Sequence, residues 1–352
     1  MQYEIYAMGL TVNKKVGVVV ISYNGKELLE KFLPRILKTD YNDFEVYVID
    51  NASTDGTSKY LASSFPEVKV IAIPENKGFT NGYVEGLSQI TNEYYVLVSS
   101  DIEVSDNWIH PVIDLMESDV SIAACQPKIK SYDDKKMFEY SGSAGGFIDY
   151  LGYPFCRGRM FFSMEEDNGQ YDDIREVFWA SGGCLFIRSK LYHSAGGLDN
   201  DFFAHMEEID LCWRLKNMGY KIMVCPKSVV YHVGGHIIAY GSPGKIYRNF
   251  RNSLITNLKN MSLFEALWKI PLRMALDNIY QTKVLFSGNF IEFLNITKAH
   301  IHFLFYLPRW IGKRREVNKL VNKRNKSGIY PNSIVWAYFV KKKEKFSNLD
   351  WN

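Results

Sequence analysis

The sequence predicts an α/β protein with a parallel sheet and a helical segment at its carboxyl end. Two patterns predict this class. Between residues 14 and 101, short β-branched runs alternate with segments whose apolar residues recur at helical spacing, and from about residue 242 to residue 320 the helical spacing dominates. Strands that alternate with helices pair in parallel, because each helix returns the chain across a face of the sheet. A chain of 352 residues can hold one large domain of this kind with an appended segment.

The first elements can be placed in order. A β-branched run at 14–24 is followed by a helical pattern and by a second strand that ends at VIDNAS. The spacing then predicts a helix over 57–64, a strand over 68–74, a helix over 79–90 and a strand over 94–101. These elements form repeated β-α-β units, so a parallel sheet with helices on both faces is expected.

The second half of the chain is less regular. Residues 130–175 are rich in Gly, Tyr, Asp and Phe with little periodicity, which predicts a long excursion over the surface. We expect a strand and a short helix over 177–192, a helix over 206–218 and a strand over 228–235. The patterns divide the chain into an N-terminal extension (1–14), a main domain (15–260) and a helical, basic extension (261–352).

Cysteine content and hydropathy indicate the compartment. The five cysteines are an odd number without C-x-x-C spacing, which argues against a disulfide framework and against a zinc site. The amino terminus lacks the basic start and apolar stretch of a signal peptide, and no run of about 18 uncharged apolar residues occurs. We therefore expect a cytoplasmic protein that is neither secreted nor membrane-spanning.

Charge is divided unevenly along the chain. Residues 261–352 hold 16 Lys and Arg against 6 Asp and Glu, whereas the preceding residues hold 26 against 33. A basic segment can contact anionic lipid or nucleic acid, or it can be a solvated face of helices. We expect no nucleic-acid partner, and the sequence leaves an oligomer open.

Polar clusters follow the first four predicted strands. Because the carboxyl ends of parallel strands meet at one edge, where open α/β sheets bind ligands, we expect the clusters to gather there. Asp50 could accept hydrogen bonds from a base or ribose, or it could cap a turn. Asp101 stands where a carboxylate would meet Mg²⁺ or Mn²⁺ on a diphosphate, or it too could belong to a strand-end turn. The clusters are Ser22-Tyr23-Asn24, Asp50-Asn51-Ala52-Ser53, Asn76-Lys77-Gly78 and Ser99-Ser100-Asp101.

An acidic stretch lies further along, at FFAHMEEIDLCWRL (202–215), where Glu207, Glu208 and Asp210 fall within four positions. On a helix, Glu208 would head an otherwise apolar face, where loss of solvation would raise its pKa towards a value useful for a general base. Asp210 and Arg214 share another face at i, i+4, which predicts a pair that orients the helix. The alternative is a first turn whose acids only complement the helix dipole.

Taken in order, nine pieces of sequence resemble the family 2 glycosyltransferases with the GT-A fold, particularly the rhamnosyltransferase-like members that build bacterial surface polysaccharides. The resemblance implies inverting transfer from a nucleoside-diphosphate sugar, rhamnose or a hexose, to a saccharide or lipid-linked acceptor. It covers about residues 15 to 260 through these pieces: VVVISYNG (18–25), VIDNASTDGT (48–57), PENKGFTNG (74–82), SSDIEV (99–104), WASGGCLFIR (179–188), GGLDNDFFAHMEEIDLCWRL (196–215), GY (219–220), HVGG (232–235) and RNFRN (248–252).

The resemblance implies a donor half at about 15–104 and an acceptor half at about 105–260. It makes Glu208 the catalytic base and places the acceptor near Trp179, Ser181 and Gly182. It places the donor against a larger set of residues: Ser22, Tyr23, Asn24, Asp50, Asn51, Asn76, Gly78, Ser100 and Asp101.

A divalent cation, Mg²⁺ or Mn²⁺, is also implied. Asp101 matches the last acid of the family's metal motif, and His232, which follows a predicted strand and precedes glycines, is a further candidate ligand unless it is a core or capping residue. Ser99 and Ser100 replace the acid or Asn that commonly precedes this aspartate. That departure leaves Glu103 as an alternative ligand and puts strict metal dependence in question.

The carboxyl-terminal segment resembles the helical extension of these enzymes. HFLFYLPRWIGKRR (302–315) suits an interfacial helix on the inner face of the cytoplasmic membrane, where a lipid-linked acceptor would lie, or a helix packed on the body or on a second subunit.

Three other functions compete with glycosyl transfer. A sugar nucleotidyltransferase would require a Gly-rich basic loop after the first strand, and a nicotinamide enzyme would require G-x-G-x-x-G there, yet the strand ends SYNGKE. A catalytically silent carbohydrate- or nucleotide-binding module stays open because of the two serines before Asp101.

Overall fold

The computed structural model describes residues 14–139, 142–234 and 242–351. Its amino-terminal half alternates strands and helices: β1 (Val16–Ser22), α1 (Lys26–Leu37), β2 (Phe44–Asn51), α2 (Thr57–Ser64), β3 (Lys69–Ile73), α3 (Phe79–Leu87), β4 (Tyr94–Ser99) and β5 (Ile102–Val104). Strand β1 pairs in parallel with β2 and β4, and β2 pairs in parallel with β3. The predicted parallel arrangement is confirmed for these four strands.

Successive side chains of β1 point to opposite faces of the sheet and pack into two separate hydrophobic clusters, one on each face. All seven residues of β1 are buried, which suits its β-branched composition, since a strand covered on both faces has no polar side. Val18 and Val20 pack in one cluster with Leu29 of α1, whereas Val19 and Ile21 pack in the other with Tyr83 of α3.

The second half of the chain extends the same sheet. Its elements are α4 (His110–Ser118), β6 (Ile122–Ser131), β7 (Gly146–Asp149), β8 (Pro154–Cys156), β9 (Arg159–Met160), β10 (Ser163–Met164), β11 (Arg175–Val177), β12 (Cys184–Arg188), α5 (Ser189–Ser194), α6 (Glu207–Asn217) and β13 (Lys221–His232). The nine-stranded sheet runs β11-β13-β6-β12-β4-β1-β2-β3, with β5 against β13. Because β12 is antiparallel to both β4 and β6, the sheet as a whole is mixed, and the parallel pairing predicted from residues 14–101 holds for β1 to β4.

Strand β13 also starts earlier than the sequence predicts, at Lys221 and not at residue 228. A register shift between Cys225 and Val229 carries Pro226 within the strand. Such an irregularity removes the period-two alternation that marks a strand in the sequence.

The prediction of a surface excursion over 130–175 is wrong. Strands β7 to β10 of this segment form a second, five-stranded sheet with β14 (Ile329–Tyr330), in the order β10-β9-β8-β7-β14. Phe147 and Phe155 are buried within it. These strands have only two to four residues, too few to show alternation in the sequence.

The helical prediction for the last third of the chain is confirmed by α7 (Pro243–Asn260), α8 (Leu263–Phe286), α9 (Phe290–Phe305) and α10 (Leu307–Lys319). After α10 the chain returns to the body, where β14 pairs in parallel with β7. Within the ranges described, none of the helices combines the length and the apolar character that crossing a bilayer requires.

Candidate active site

The carboxyl ends of β1, β2 and β4 lie side by side. In the sheet register Ser22 is opposite Asp50, and Ile21 is opposite Ser99. A side chain at Gly25 would collide with the Ser22 hydroxyl and lie 3.7 Å from that of Ser100. The structure therefore brings the first, second and fourth polar clusters together at one edge of the sheet.

The loops after β1 and β2 are tied to each other. Asn24 has a left-handed backbone, and its Oδ1 accepts the Thr54 N–H at 2.7 Å. Asp50 accepts the Ser53 N–H at 2.9 Å and the hydroxyl of Ser58. Asp50 thus caps its own loop, the alternative role that its residue type allowed, while Tyr23 stays about half exposed at the loop surface.

A second set of contacts joins β2 to the loop before α6. The Asn51 amide donates to Asn76 Oδ1 at 3.1 Å and to the Gly78 carbonyl at 3.3 Å. Gly78 has φ +100°, and a Cβ there would lie 2.5 Å from the Phe203 ring. The Thr80 N–H donates to the Phe203 carbonyl at 3.0 Å. Glycine at 78 lets the loop that leads to the acidic stretch approach the sheet edge.

Asp101 is buried at the end of this edge. Its carboxylate accepts the Ser99 hydroxyl at 2.5 Å and lies 3.3 Å from Nε2 of His232. Burial opposes the charge of Asp101, but the contacts with His232 outweigh it and lower the pKa of Asp101 below its ordinary value.

His232 lies between two carboxylates. Its Nδ1 is 3.1 Å from Glu139. Burial alone would lower the pKa of His232, yet the hydrogen bonds and charges of Asp101 and Glu139 raise it to about 10. The imidazole therefore carries a positive charge at neutral pH in this arrangement. No sequence pattern points to Glu139, which lies in the segment expected to be a surface excursion.

Glu103, the alternative ligand, has a different partner. Its carboxylate accepts a hydrogen bond from Lys135 at 2.6 Å. In the part of the chain that the structure describes, no three His, Cys, Asp or Glu side chains are grouped so that they could hold a metal ion.

Glu208 stands at the start of α6, after a loop with a strained backbone. Phe203, His205 and Met206 have φ values of 66°, 71° and 73°, which non-glycine residues seldom adopt. The Glu208 side chain lies against Gly182, where an added Cβ would be 3.9 Å from its carboxyl carbon.

The carboxylate of Glu208 is left without a hydrogen-bond partner at Oε2 among the described residues, although that atom is buried. Burial raises the pKa of Glu208 to about 7, as the apolar helix face predicted. Its neighbour Glu207 is buried as well, and burial followed by the charge of Glu208 raises the pKa of Glu207 well above its usual range. Burial therefore opposes ionisation of both carboxyl groups.

Asp101 and Glu208 border the same turn. The Ser99 N–H donates to the Gly183 carbonyl at 3.0 Å, and the Ser99 hydroxyl binds Asp101. Gly182, the preceding residue of that turn, faces Glu208. Glu208 thus lies directly against the Gly182-Gly183 turn, and Asp101 is linked to the turn through Ser99.

The other residues expected on the acceptor side are buried. Trp179 donates its indole N–H to the Phe147 carbonyl at 2.9 Å and packs against Gly146. Ser181 is fully buried, and its N–H donates to Gln126 at 2.9 Å. Of the three expected residues, Gly182 is the one that is partly exposed.

Sequence comparison identifies relatives of this chain. The profile described as "Glycosyl transferase family 2" matches residues 17–192, half of the chain. An N-acetylglucosaminyl-diphospho-decaprenol L-rhamnosyltransferase of Mycobacterium tuberculosis is 23% identical over 74% of this chain and 88% of its own length. An uncharacterized glycosyltransferase of Haemophilus influenzae is 27% identical over 81% of this chain and 82% of its own length.

Structure comparison identifies the fold. A mannosyltransferase from Pyrobaculum calidifontis, solved with GDP-Man and Mn²⁺, matches with a TM-score of 0.52 and 16% identity over 88% of this chain and 86% of its own. GalNAc-T7, solved with UDP, GalNAc and Mn²⁺, matches with a TM-score of 0.53 and 15% identity over 71% of this chain, which spans 48% of that protein. The fold, the motifs and the sequence profile agree, and the chain belongs to glycosyl transferase family 2, as a glycosyltransferase with the GT-A fold.

Proposed function

We propose that this enzyme transfers a sugar, rhamnose or a hexose, from a nucleoside-diphosphate donor to a saccharide or lipid-linked acceptor, with inversion at the anomeric carbon. The reaction would belong to bacterial surface polysaccharide synthesis on the cytoplasmic side of the membrane. The observation that carries the proposal is the carboxylate of Glu208, whose buried Oε2 has no hydrogen-bond partner among the described residues and whose pKa burial raises to about 7. The rhamnosyltransferase relative supports the class of substrate.

Glu208 has the properties of a general base. With a pKa near neutral pH, it is substantially ionised, and it would accept the proton of the acceptor hydroxyl. The acceptor oxygen forms its bond to the anomeric carbon while the bond from that carbon to the diphosphate oxygen breaks. The electron pair of the broken bond leaves with the diphosphate, so the negative charge moves from the side of Glu208 towards Asp101.

The donor would occupy the carboxyl edge of the first four strands, in the half at about 15–104. Tyr23 offers an exposed ring beside the tied loops of Asn24 and Asp50. The buried Ser22 hydroxyl has no hydrogen-bond partner among the described residues, which leaves it free for the donor. The acceptor would enter past Gly182, in the half at about 105–260.

A divalent cation fits beside Asp101. The carboxylate of Asp101 and the imidazole of His232 lie 3.3 Å apart, and oxygen and neutral imidazole nitrogen are both ligands of Mn²⁺. Asp101 would hold the cation, and His232 would join it only by releasing the proton that it otherwise carries. Few protein ligands are needed when donor phosphates complete the shell. When bound, Mg²⁺ or Mn²⁺ would neutralise charge on the departing diphosphate. Without the cation, protonated His232 supplies one positive charge there.

The proposal is tested by nucleotide release from a panel of uridine, deoxythymidine and guanosine diphosphate sugars, with and without Mn²⁺. We expect release with at least one donor, stimulated by a saccharide acceptor. Glu208→Gln should reduce transfer by roughly 10²- to 10⁴-fold and keep the rise in melting temperature that the donor causes. Glu67→Gln, an exposed carboxylate on the body, is the matched control. Donor binding without transfer by the wild type would instead identify a silent binding module.

A further inference from the structure

Helix α8 buries its polar residues and exposes its apolar ones. Lys269, Arg273, Asp277 and Gln281 recur at four-residue spacing on the buried face. The exposed face carries large apolar side chains: Leu263, Phe264, Leu267, Trp268, Leu272, Ile279, Tyr280 and Phe286. A helix on the surface of a water-soluble protein has the opposite arrangement, so this face is built for a different surrounding.

The buried polar residues attach the helix to the body. The Arg273 guanidinium lies 3.2 Å from the ring centroid of Tyr153, whose hydroxyl donates to Asp277 at 3.0 Å. The Gln281 amide donates to the Phe293 carbonyl of α9 at 3.0 Å. These contacts fix which face of α8 points outwards.

Helix α9 repeats the pattern. Ile296, Ala299, His300 and Phe303 are buried, and the exposed positions include Phe290, Ile291, Leu294, Ile301, Leu304 and Phe305. Phe286 is 86% exposed and Phe305 75%, values that leave almost the whole ring in contact with solvent. The two helices together present one hairpin surface, which we call the apolar hairpin face and define by the exposed residues of α8 and α9.

The fully exposed charges on this face are of one sign, because Lys283 and Lys298 are exposed. The two carboxylates beside it are partly buried and already have partners: Glu292 accepts the Tyr280 hydroxyl at 2.7 Å, and Glu265 binds Lys269 at 3.1 Å. A second copy of the chain would bring lysine against lysine, with the nearby carboxylates engaged within their own copy. Anionic lipid headgroups complement the lysines, and the acyl boundary beneath them accepts the apolar side chains.

We infer that the apolar hairpin face docks on an anionic lipid bilayer, with α8 and α9 lying in the plane of the headgroup boundary. The inference deepens the proposed function, on which it rests for the lipid-linked acceptor. It replaces the segment 302–315 by the whole α8–α9 hairpin as the membrane contact.

Helix α7 would separate the docked surface from the loop that positions Glu208. On α7, the Asn252 amide donates to the carbonyls of Phe202, Ala204 and His205 at 3.1, 3.0 and 2.7 Å. Tyr247 of the same helix is hydrogen-bonded to His302 of α9. Helix α7 therefore connects the hairpin to the loop that positions Glu208, which would hold the active site close to a headgroup-borne acceptor.

The test is flotation of the full-length protein with vesicles of phosphatidylcholine alone and of phosphatidylcholine mixed with phosphatidylglycerol. We expect the wild type to float with the anionic vesicles. The double variant Leu267→Asp, Ile291→Asp should lose at least about tenfold in partitioning, since it places charge where acyl chains would lie. Val120→Asp, at an exposed apolar residue after α4, should float like the wild type.

Folding and oligomeric state are measured on the same samples. Equal melting temperatures of the variants show that the loss of flotation is not unfolding. A wild type that fails to float, or a double variant that floats as well as the wild type, overturns the inference. So does a dimer in solution that the double variant dissociates. Nucleotide release assayed without vesicles tests the proposed function separately.

Discussion

Two sides of helix α6 carry carboxylates in opposite states. On the side that faces α7, Asp210 is fully buried and binds Arg214, Lys259 and Asn260 at 2.9, 2.8 and 2.8 Å. On the side that faces the Gly182 turn, Glu208 is partly exposed, and its buried oxygen has no partner among the described residues. The two residues are separated by a single position in the sequence.

The difference shows how one acidic motif can serve both architecture and chemistry. A buried carboxylate surrounded by three donors is held in place and has no capacity left for a substrate. A carboxylate with a buried oxygen that no donor contacts is destabilised as an anion, which raises its pKa and prepares it to accept a proton. The partnered side of α6 thus supports the strained, reactive side.

The largest effect is expected from Glu208→Gln. If Glu208 is the general base, kcat/KM should fall by roughly 10²- to 10⁴-fold, because the glutamine amide cannot take the proton from the acceptor hydroxyl. Nucleotide release with the preferred donor and acceptor measures it. A loss of under about threefold would show that Glu208 is not the base.

Asp210→Asn should act on stability. Removing the charge leaves Lys259 and Arg214 buried beside a neutral amide, so we expect the free energy of unfolding to fall by roughly 3–5 kcal/mol. Urea denaturation measures the change. Asp106→Asn breaks an exposed pair with Arg35 and should cost under about 1 kcal/mol. Equal losses of unfolding free energy in the two variants would show that buried Asp210 stabilises the fold no more than an exposed carboxylate does.

Glu208→Gln should also stabilise the protein at alkaline pH. Because the folded pKa of Glu208 is raised to about 7, the wild type loses stability as pH rises from the ordinary Glu value of 4.5 through 7. The neutral amide avoids that loss. The free energy of unfolding of the variant should therefore exceed that of the wild type by roughly 1–2 kcal/mol at pH 8, with no difference in its favour near pH 4. A variant that is less stable than the wild type at pH 8 would contradict the raised pKa of Glu208 in the folded protein.

The pH dependence of activity gives the smallest effect. Since the base must be deprotonated, kcat/KM should rise by roughly tenfold between pH 6 and pH 8 and level off above. The inflection should lie near the raised pKa of Glu208, about 7. An inflection near 4.5, the ordinary Glu value, would place the working carboxylate in a solvated site.

The donor side of the fold could be predicted from the sequence because its signals are local. The predicted helix over 57–64 has the bounds of α2, and the predicted helix over 206–218 differs from α6 by one residue at each end. The register of β1 to β4 then places Ser22, Asp50 and Ser99 at one edge by topology alone.

The rest depends on contacts that no local pattern encodes. Strands β7 and β14 are separated by about 180 residues along the chain, and neither is long enough to show alternation. Glu139 meets His232 across about half that separation in sequence, and Asp50 turns inward to its own loop. In the active site, the sequence predicted the raised pKa of Glu208, but the Gly182 turn beside it is visible only in three dimensions.

The segment after α10 returns to the body and protects an edge of the second sheet. Strand β14 covers an edge of β7, and the Ile334 N–H donates to the buried Asp149 carboxylate at 3.0 Å. A stop codon just after α10 would therefore uncover a sheet edge that other copies could pair with. Selection against aggregation should therefore act on residues 320–351 as well as on the body, independently of any lipid.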